Sequence, residues 1–315
     1  PPPLPMLTSL PQYKLGSRTF AGRALIEGCT LRVCNSGEKP VHCRHQLEIR
    51  YVNLKNRTDR VQYMESHLKA VIQNDRHRIV RGLPKRVEAL RPQCSEAAGQ
   101  PCLYPKPPDM LTETELQHAA SSMEHWPPKR RAGVMGCFLT GLNELRRFGA
   151  RANSSKFMLL LEDDVQLAPT FLSELPCLLA ALPADAPWHV VRFGTWGSHY
   201  PEDEVRPASV LAPGSKVFRA RAFGHTFGVN GAQYAYGGSY AVLVQRHTVN
   251  ALARHLTGRG IGDFDARLRE VAGASIVSYA LQTPLVTTQN ALQLASDIPK
   301  LSKLPGVSAR ESLPL

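Results

Sequence analysis

The sequence predicts an α/β fold, a mostly parallel sheet flanked by helices, and three observations carry that expectation. Short apolar or β-branched runs alternate with longer stretches whose apolar residues recur at helical spacing. One run, FMLLL at 157–161, is apolar at every position and reads as a buried strand. It leads straight into three acids, Glu162, Asp163 and Asp164, and open α/β sheets bind ligands beyond the carboxyl ends of their strands.

Taken in order, residues 1–45 open with PPPLPMLTSLP, lack periodicity and read as an irregular leader. LEIRYVNL at 47–54 has strand composition. NRTDR then offers turn chemistry and two capping residues, Thr58 and Asp59, after which Val61, Met64, Leu68 and Val71 recur as one helical face. IVRGLP at 79–84 reads as a second short strand before a Pro- and Cys-containing loop at 91–110. Helices are expected at 112–124 and 131–148, the latter presenting Val134, Phe138, Leu142 and Leu145 and ending at Gly149 as a C-cap. Further strands are expected at 157–161, 189–193, 216–220 and 239–245, with helices at 169–181, 246–257 and 263–271 among them. One domain therefore spans 46–300, and residues 301–315 read as a tail.

A chain of 315 residues with 43% hydrophobic and 20% charged content has ordinary globular composition, which excludes disorder as the default. The formal charge of +12 favours an acidic partner: nucleic acid, an anionic membrane surface or a phosphorylated substrate. Basic residues gather only in small groups, Lys129-Arg130-Arg131 and Arg146-Arg147, with no nucleic-acid-binding motif, so nucleic acid is not the expected partner. Seven cysteines lack CxxC spacing, which argues against a zinc site. Cys137 and Cys177 fall in apolar helical patterns and read as buried thiols. Cys29, Cys34, Cys43, Cys94 and Cys102 lie in polar chain where disulfides would form in an oxidising compartment. No apolar run reaches the ~18 residues of a membrane span. Without an initiator Met or a signal-peptide pattern, the chain reads as the lumenal fragment of a longer protein.

Three consecutive carboxylates repel one another, and a hard divalent ion, Mn²⁺ or Mg²⁺, relieves that by bridging one or two acids to a nucleotide's phosphates. The competing reading is that the acids cap the next helix. A second constellation is YVNLKNRTDR at 51–60, where a strand, a loop and a helix N-terminus offer free amides beside Arg57 and Arg60, donors suited to a diphosphate. Its competing reading is a capped helix with solvated arginines.

VNLKNRTDRVQYMESHL, GCFLTGLNELRRFG, FMLLLEDDV, GGSYAVLVQRHTV and ASDIP, in that order over about residues 47–298, resemble glycosyltransferase family 25. That family includes bacterial lipopolysaccharide galactosyltransferases and collagen hydroxylysine galactosyltransferases. The resemblance implies a GT-A-type, Rossmann-like sheet and transfer of a sugar, typically galactose from UDP-galactose, to an acceptor hydroxyl. It places Asp163 and Asp164 of the EDD motif on Mn²⁺ (or Mg²⁺), and Glu162, Asn53, Arg57, Asp59 and Arg60 against the nucleotide. Asp297 matches the closing motif. A histidine usual in the family's GCFLSH pattern is replaced by Gly141, and the match is poor between Phe193 and Tyr240.

Inverting transfer also needs a general base. Asp263 and Asp265 in IGDFDARL are the favoured candidates, with Glu202–Glu204 as another source; either aspartate could instead be an N-cap. His199 and His225 could bind sugar or metal, and Trp196, Tyr234 and Tyr236 could stack on a sugar face, each with a structural role as the alternative. The expected partners are a nucleotide-sugar donor and a glycan, lipid-linked or protein acceptor. The expected location is the Golgi or ER lumen in a eukaryote, or the cytoplasm or membrane periphery in a bacterium. Asn56 and Asn153 both sit in N-glycosylation acceptor patterns. A rival reading is a transferase fold that has lost catalysis and serves as a carbohydrate-binding or scaffold protein.

Overall fold

The computed structural model describes residues 46–95, 102–104, 109–121, 127–151, 155–180, 182, 188–194, 204–205, 214–220, 238–258, 262–273 and 275–288. The leader, the tail, Asn153, Trp196, His199, Glu202, His225, Tyr234, Tyr236, Asp297 and three of the cysteines (29, 34 and 43) lie outside the described residues.

The first strand, β1 (Leu47–Asn53), is fed by Leu47, Ile49 and Tyr51 facing one side and Glu48, Arg50 and Val52 facing the other, the period of two that a pleated strand imposes. Helix α1 (Thr58–Gln73) follows and buries Met64, Leu68 and Val71 at helical spacing. Its N-cap is Arg57, with no side-chain cap bond, so neither Thr58 nor Asp59 caps it. The second strand differs from expectation. Residues 79–80 make only an isolated bridge, Leu47 to Val80, and the strand β2 is Lys85–Glu88. Gly82, at φ +71°, turns the chain in between, and Pro84 follows with no N–H to donate.

Helices α2 (Glu113–Ser121) and α3 (Pro128–Ala150) come next. Gly149 is inside α3 rather than its C-cap: a Cβ there would lie 2.1 Å from Asn250 Oδ1, so the glycine allows α3 to cross a later helix closely. Strand β3 (Phe157–Glu162) is followed after a two-residue turn by β4 (Val165–Leu167), then α4 (Phe171–Ala180), β5 (Val190–Phe193), β6 (Glu204–Val205) and β7 (Lys216–Ala220). The described chain closes with β8 (Ala241–Gln245), α5 (Arg246–Gly258), α6 (Phe264–Glu270), β9 (Ser278–Gln282) and β10 (Val286–Thr288).

Eight strands form one sheet in the order β2-β1-β3-β8-β5-β9-β7-β6, and β10 pairs with β4 separately. Strands β2, β1, β3, β5, β9 and β6 run one way; β8 and β7 run against them. The expected α/β class, a sheet mostly parallel in direction and flanked by helices, is what the chain adopts. Strand β3 is central, between β1 and β8, and buries Phe157, Leu159 and Leu161 against α1 and α4 while Met158 and Leu160 face α3 and α5. Burial on both faces explains its unbroken apolar run.

The cysteine readings divide. Cys94 and Cys102 form a disulfide, as polar loop cysteines were expected to. Cys177 is also disulfide-bonded and Cys137 is exposed, so neither is the buried thiol that an apolar helical pattern implied. Both sit on α-helices, at positions whose faces lie outside the packed stripe of their own helix.

Candidate active site

The parallel pairing of β1 with β3 sets Val52 beside Glu162, so the residues that follow, Asn53 at the end of β1 and Asp163 just past β3, come together at the sheet's carboxyl edge. Asn53 Nδ2 donates to Asp163 Oδ2 at 2.7 Å, and Arg60, from the first turn of α1, donates to Asp163 Oδ1 at 2.5 Å. Asp163 is buried, as are Asn53 and Arg60. The same loop is tied down by Asn53 Nδ2 donating to the Arg57 carbonyl. Sequence reasoning assigned Asn53, Arg60 and Asp163 to one site, and the fold brings them together through direct contacts.

Asp163 and Asp164 occupy the turn between β3 and β4, so the three acids cap no helix. That turn is pinned from below: Val165 and Leu167 are buried, and the Leu167 N–H donates to His67 Nε2 on α1 at 2.8 Å. Burial pushes the His67 pKa down, which keeps the ring neutral and able to accept that bond.

Arg57 and Asp59 take a different part. Arg57 donates to Asp59 through Nε at 3.1 Å and a terminal nitrogen at 2.9 Å, and this forked pair stands at the surface of the loop. The Arg57 hydrogen bonds hold the Asp59 carboxyl down at about 2.

More acids arrive from the opposite side. Ser239, just before β8, donates to Glu162 Oε1 at 2.8 Å, and the Gly238 N–H donates to Asp265 Oδ2 at 3.2 Å. Two consecutive residues thereby join the end of β3 to the start of α6. Asp263 stands at the N-cap position of α6, where its main-chain carbonyl accepts from Arg267 but its side chain makes no cap bond. Burial first, and the Asp265 charge next, raise the Asp263 pKa.

The electrostatics register this convergence. Burial and then the charge of Asp164 push Glu162 up to about 7, with the Ser239 hydrogen bond opposing and Asp265 and Asp163 adding to the rise. Tyr240 is raised by burial and by Glu162, Asp164 and Asp265. Cys137, solvent-accessible on α3 yet set among protein atoms, has its thiol pKa raised by desolvation and then by Glu162, Asp263 and Asp265. Sequence reasoning missed Ser239 as a member of this site. The GGSY motif contained it, but nothing in its local pattern showed that its hydroxyl reaches Glu162.

Gly141, where the resemblance leads one to expect histidine, has a physical explanation. A Cβ at this position would lie 2.8 Å from two ring carbons of Phe264, the first residue of α6. Phe264 is buried and meets Phe138 edge to face at 6.3 Å between centroids. The space a side chain would need is filled by the ring that seats α6, and with it Asp263 and Asp265. Glu204, the described part of the alternative base segment, instead pairs with Lys216 across β6 and β7 at 3.3 Å.

Among the described residues, no group of three histidine, cysteine, aspartate or glutamate side chains has the arrangement to hold a metal by itself. A divalent ion bound through one or two carboxylates and completed by substrate phosphates needs less. The residues fit that shared mode: burial and then the charge of Asp164 drive Glu162 toward protonation, and a cation would offset the part that its acidic neighbours supply. Both Asp163 oxygens already accept protein donors, so Asp163 is held in place while Asp164, half-buried beside it in the turn, is the more accessible ligand.

No family model matches the chain, and no curated protein matches it. Among solved structures, a glycosyltransferase involved in the glycosylation of the major capsid of PBCV-1 is similar, with a TM-score of 0.29 and 9% identity. The alignment covers 67% of this chain and 64% of that one, less than two thirds of its length. A likeness this loose carries no functional conclusion.

Proposed function

We propose that this chain is a metal-dependent glycosyltransferase that moves a sugar, galactose by the family 25 resemblance, from a UDP-sugar to an acceptor hydroxyl with inversion. The observation that carries the reading is the gathering of Glu162, Asp163 and Asp164, from the turn at the carboxyl end of the central strand, with Asp265 from a separate helix. Supporting it are the order of the five sequence motifs and the α/β sheet that places them.

Asp164 and Glu162 are the residues to hold Mn²⁺ or Mg²⁺, which when bound would supply positive charge to a leaving diphosphate. Asn53 and Arg60 hold Asp163 in one orientation and thereby fix the turn that presents Asp164. Asp265 and Asp263 are the candidates for taking the acceptor hydroxyl's proton. Of the two, Asp263 has the better basis for a base, because its raised pKa and its uncommitted cap position leave the carboxylate able to accept a proton.

The disulfides at Cys94–Cys102 and at Cys177 fit an oxidising compartment, which supports the lumenal reading. No helix among the described residues is long and apolar enough to cross a membrane. The rival reading, a fold that binds carbohydrate without turnover, draws on the full engagement of both Asp163 oxygens by Asn53 and Arg60. A panel of nucleotide-sugar donors with Mn²⁺, read out as release of free nucleoside diphosphate, separates the two. Release from a UDP-sugar that is lost in Asp164→Ala supports the transferase. Donor binding with no release from any member of the panel supports the rival.

A further inference from the structure

A groove of about 1240 Å³ lies elsewhere, between β2 at the sheet edge and α3. Neither Asp163 nor Asp164 lines it. Seven arginines and lysines line it against two carboxylates, Glu88 and Glu144.

Four of those cations are answered. Buried Arg50 pairs with Glu48 at 2.8 Å and Glu144 at 2.6 Å, Lys85 and Arg151 reach Glu48 at 3.1 and 3.4 Å, and Arg147 is held by Glu144 and Asp109. Burial works to raise the Glu48 carboxyl, but the Arg50 charge and the Lys85 and Arg50 hydrogen bonds outweigh it and hold the pKa low. This end of the groove is a satisfied structural network. The other three, Lys55, Arg86 and Arg91, make no ion pair among the described residues, and all are exposed. Arg86 reaches only the main-chain carbonyls of Leu54 and Lys55, at 3.4 and 3.5 Å.

Lys55 and Arg91 follow the carboxyl ends of β1 and β2, and Arg86, the second residue of β2, reaches to the chain that follows β1. The wall there is Leu54–Asn56, the chain between Asn53, which holds Asp163, and Arg57. The floor is mixed: Thr140 and Asn143 on α3 are buried and already hydrogen-bonded, to the Leu90 N–H and the Gly136 carbonyl and to the Met110 N–H, while Val87, Leu90, Pro92 and Tyr104 add apolar surface. Positive charge without an acidic partner among the described residues, set along a partly apolar groove, suits an anion longer than a single phosphate.

We propose that this groove holds the acceptor, and that the acceptor is an anionic oligosaccharide whose sulfate, phosphate or carboxylate groups meet Lys55, Arg86 and Arg91. The assignment of the bound molecule as acceptor rests on the transferase reading. A saccharide is favoured over an acidic peptide because pyranose rings set C–H faces against apolar surface such as Pro92 and Tyr104 while their anionic substituents reach the cations, whereas a peptide would pair with the open edge of β2.

The test uses the full chain and a labelled, sulfated heparin-type hexasaccharide, with its desulfated counterpart and a phosphorylated oligomannose as comparison arms, followed by fluorescence anisotropy. Binding of the sulfated probe should weaken about tenfold or more in Arg86→Ala/Arg91→Ala, as expected for two lost charge-assisted contacts. It should also weaken as salt rises from about 0.05 to about 0.3 M. The double variant Arg76→Ala/Arg254→Ala, at exposed arginines outside the groove, should match the parent. Preference for the phosphorylated over the sulfated arm identifies the anion as phosphate within the same proposal. Equal binding of the desulfated probe, equal losses in both double variants, or stronger competition by an oligoglutamate peptide would each overturn it. UDP titration of the parent with Mn²⁺ keeps the two readings apart. If UDP binds and no anionic oligosaccharide does, the groove proposal fails alone. If the oligosaccharide binds through Arg86 and Arg91 but UDP does not, the donor reading fails and the groove's ligand class stands.

Discussion

Arg60→Ala removes one side of a buried ion pair, and its cost follows from the geometry. The guanidinium meets Asp163 at 2.5 Å, with side-chain exposures of 7% and 11%, so both groups have left bulk water. Losing one partner of such a pair costs about 3 to 5 kcal/mol, because the other charge is left without its counterpart. Asn53 still donates to Asp163, which puts the expected value at the low end, about 3 kcal/mol. In a domain of this size, that lowers the melting temperature by roughly 6 to 12 °C. Urea unfolding of the parent, Arg60→Ala, Asp163→Asn and the double variant forms a complete cycle. The account expects the double variant to be far less destabilised than the sum of the singles. Arg57→Ala, whose partner Asp59 is exposed, should unfold with the parent. If Arg60→Ala is as stable as Arg57→Ala, or if the cycle is additive, Arg60 does not anchor the acidic turn.

Three other outcomes follow. Gly141→Ala forces a Cβ against the Phe264 ring, which should cost about 1 to 3 kcal/mol, less about 0.5 to 1 kcal/mol regained in helix propensity, and should shift Asp263 and Asp265 enough to reduce transfer. Restoration of stability by adding Phe264→Leu would show that the ring is the obstacle, and an unperturbed single variant would refute the contact. Glu115 is held down at about 2 from 4.5 mainly by hydrogen bonding to Arg146, so its stabilisation is fully present above pH 4.5 and is lost as pH falls toward 2. The melting-temperature gap between the parent and Glu115→Gln should therefore shrink over that window, and a gap that persists unchanged to pH 2.5 would contradict the assignment. Asn56 lines the mouth of the basic groove, so active secreted enzyme should carry no glycan there; peptide mapping that finds full occupancy in active material would refute this use of the loop.

The strand FMLLL and the position of its acids were legible because burial on both faces and a ligand-binding strand end both leave one-dimensional patterns. Asn53 and Arg60 were legible as members of one segment, but their common partner, Asp163, was not, since it lies more than a hundred residues away and is brought in by strand register. Sequence reasoning aimed Arg60 at a diphosphate; the fold aims it at Asp163. The second strand was placed too early because IVRGLP has strand composition, whereas the pairing belongs to KRVE, whose charged residues suit the edge of a sheet. Gly149 looked like a helix end because glycine does end helices, but here it clears the path of Asn250. Gly141 read as a loss, and Phe264 explains it only in three dimensions. The basic groove left no signal beyond net charge, because its cations come from three separate segments.

The central claim is that the acids at the end of β3 bind a nucleotide diphosphate through a divalent cation. Calorimetric titration of the full chain with UDP, with and without Mn²⁺, tests it directly. The account predicts UDP binding that requires Mn²⁺ in the parent and is lost in Asp164→Ala, with the variant still folded by circular dichroism. UDP binding that is indifferent to Mn²⁺ and to Asp164, or no UDP binding under either condition, would contradict it.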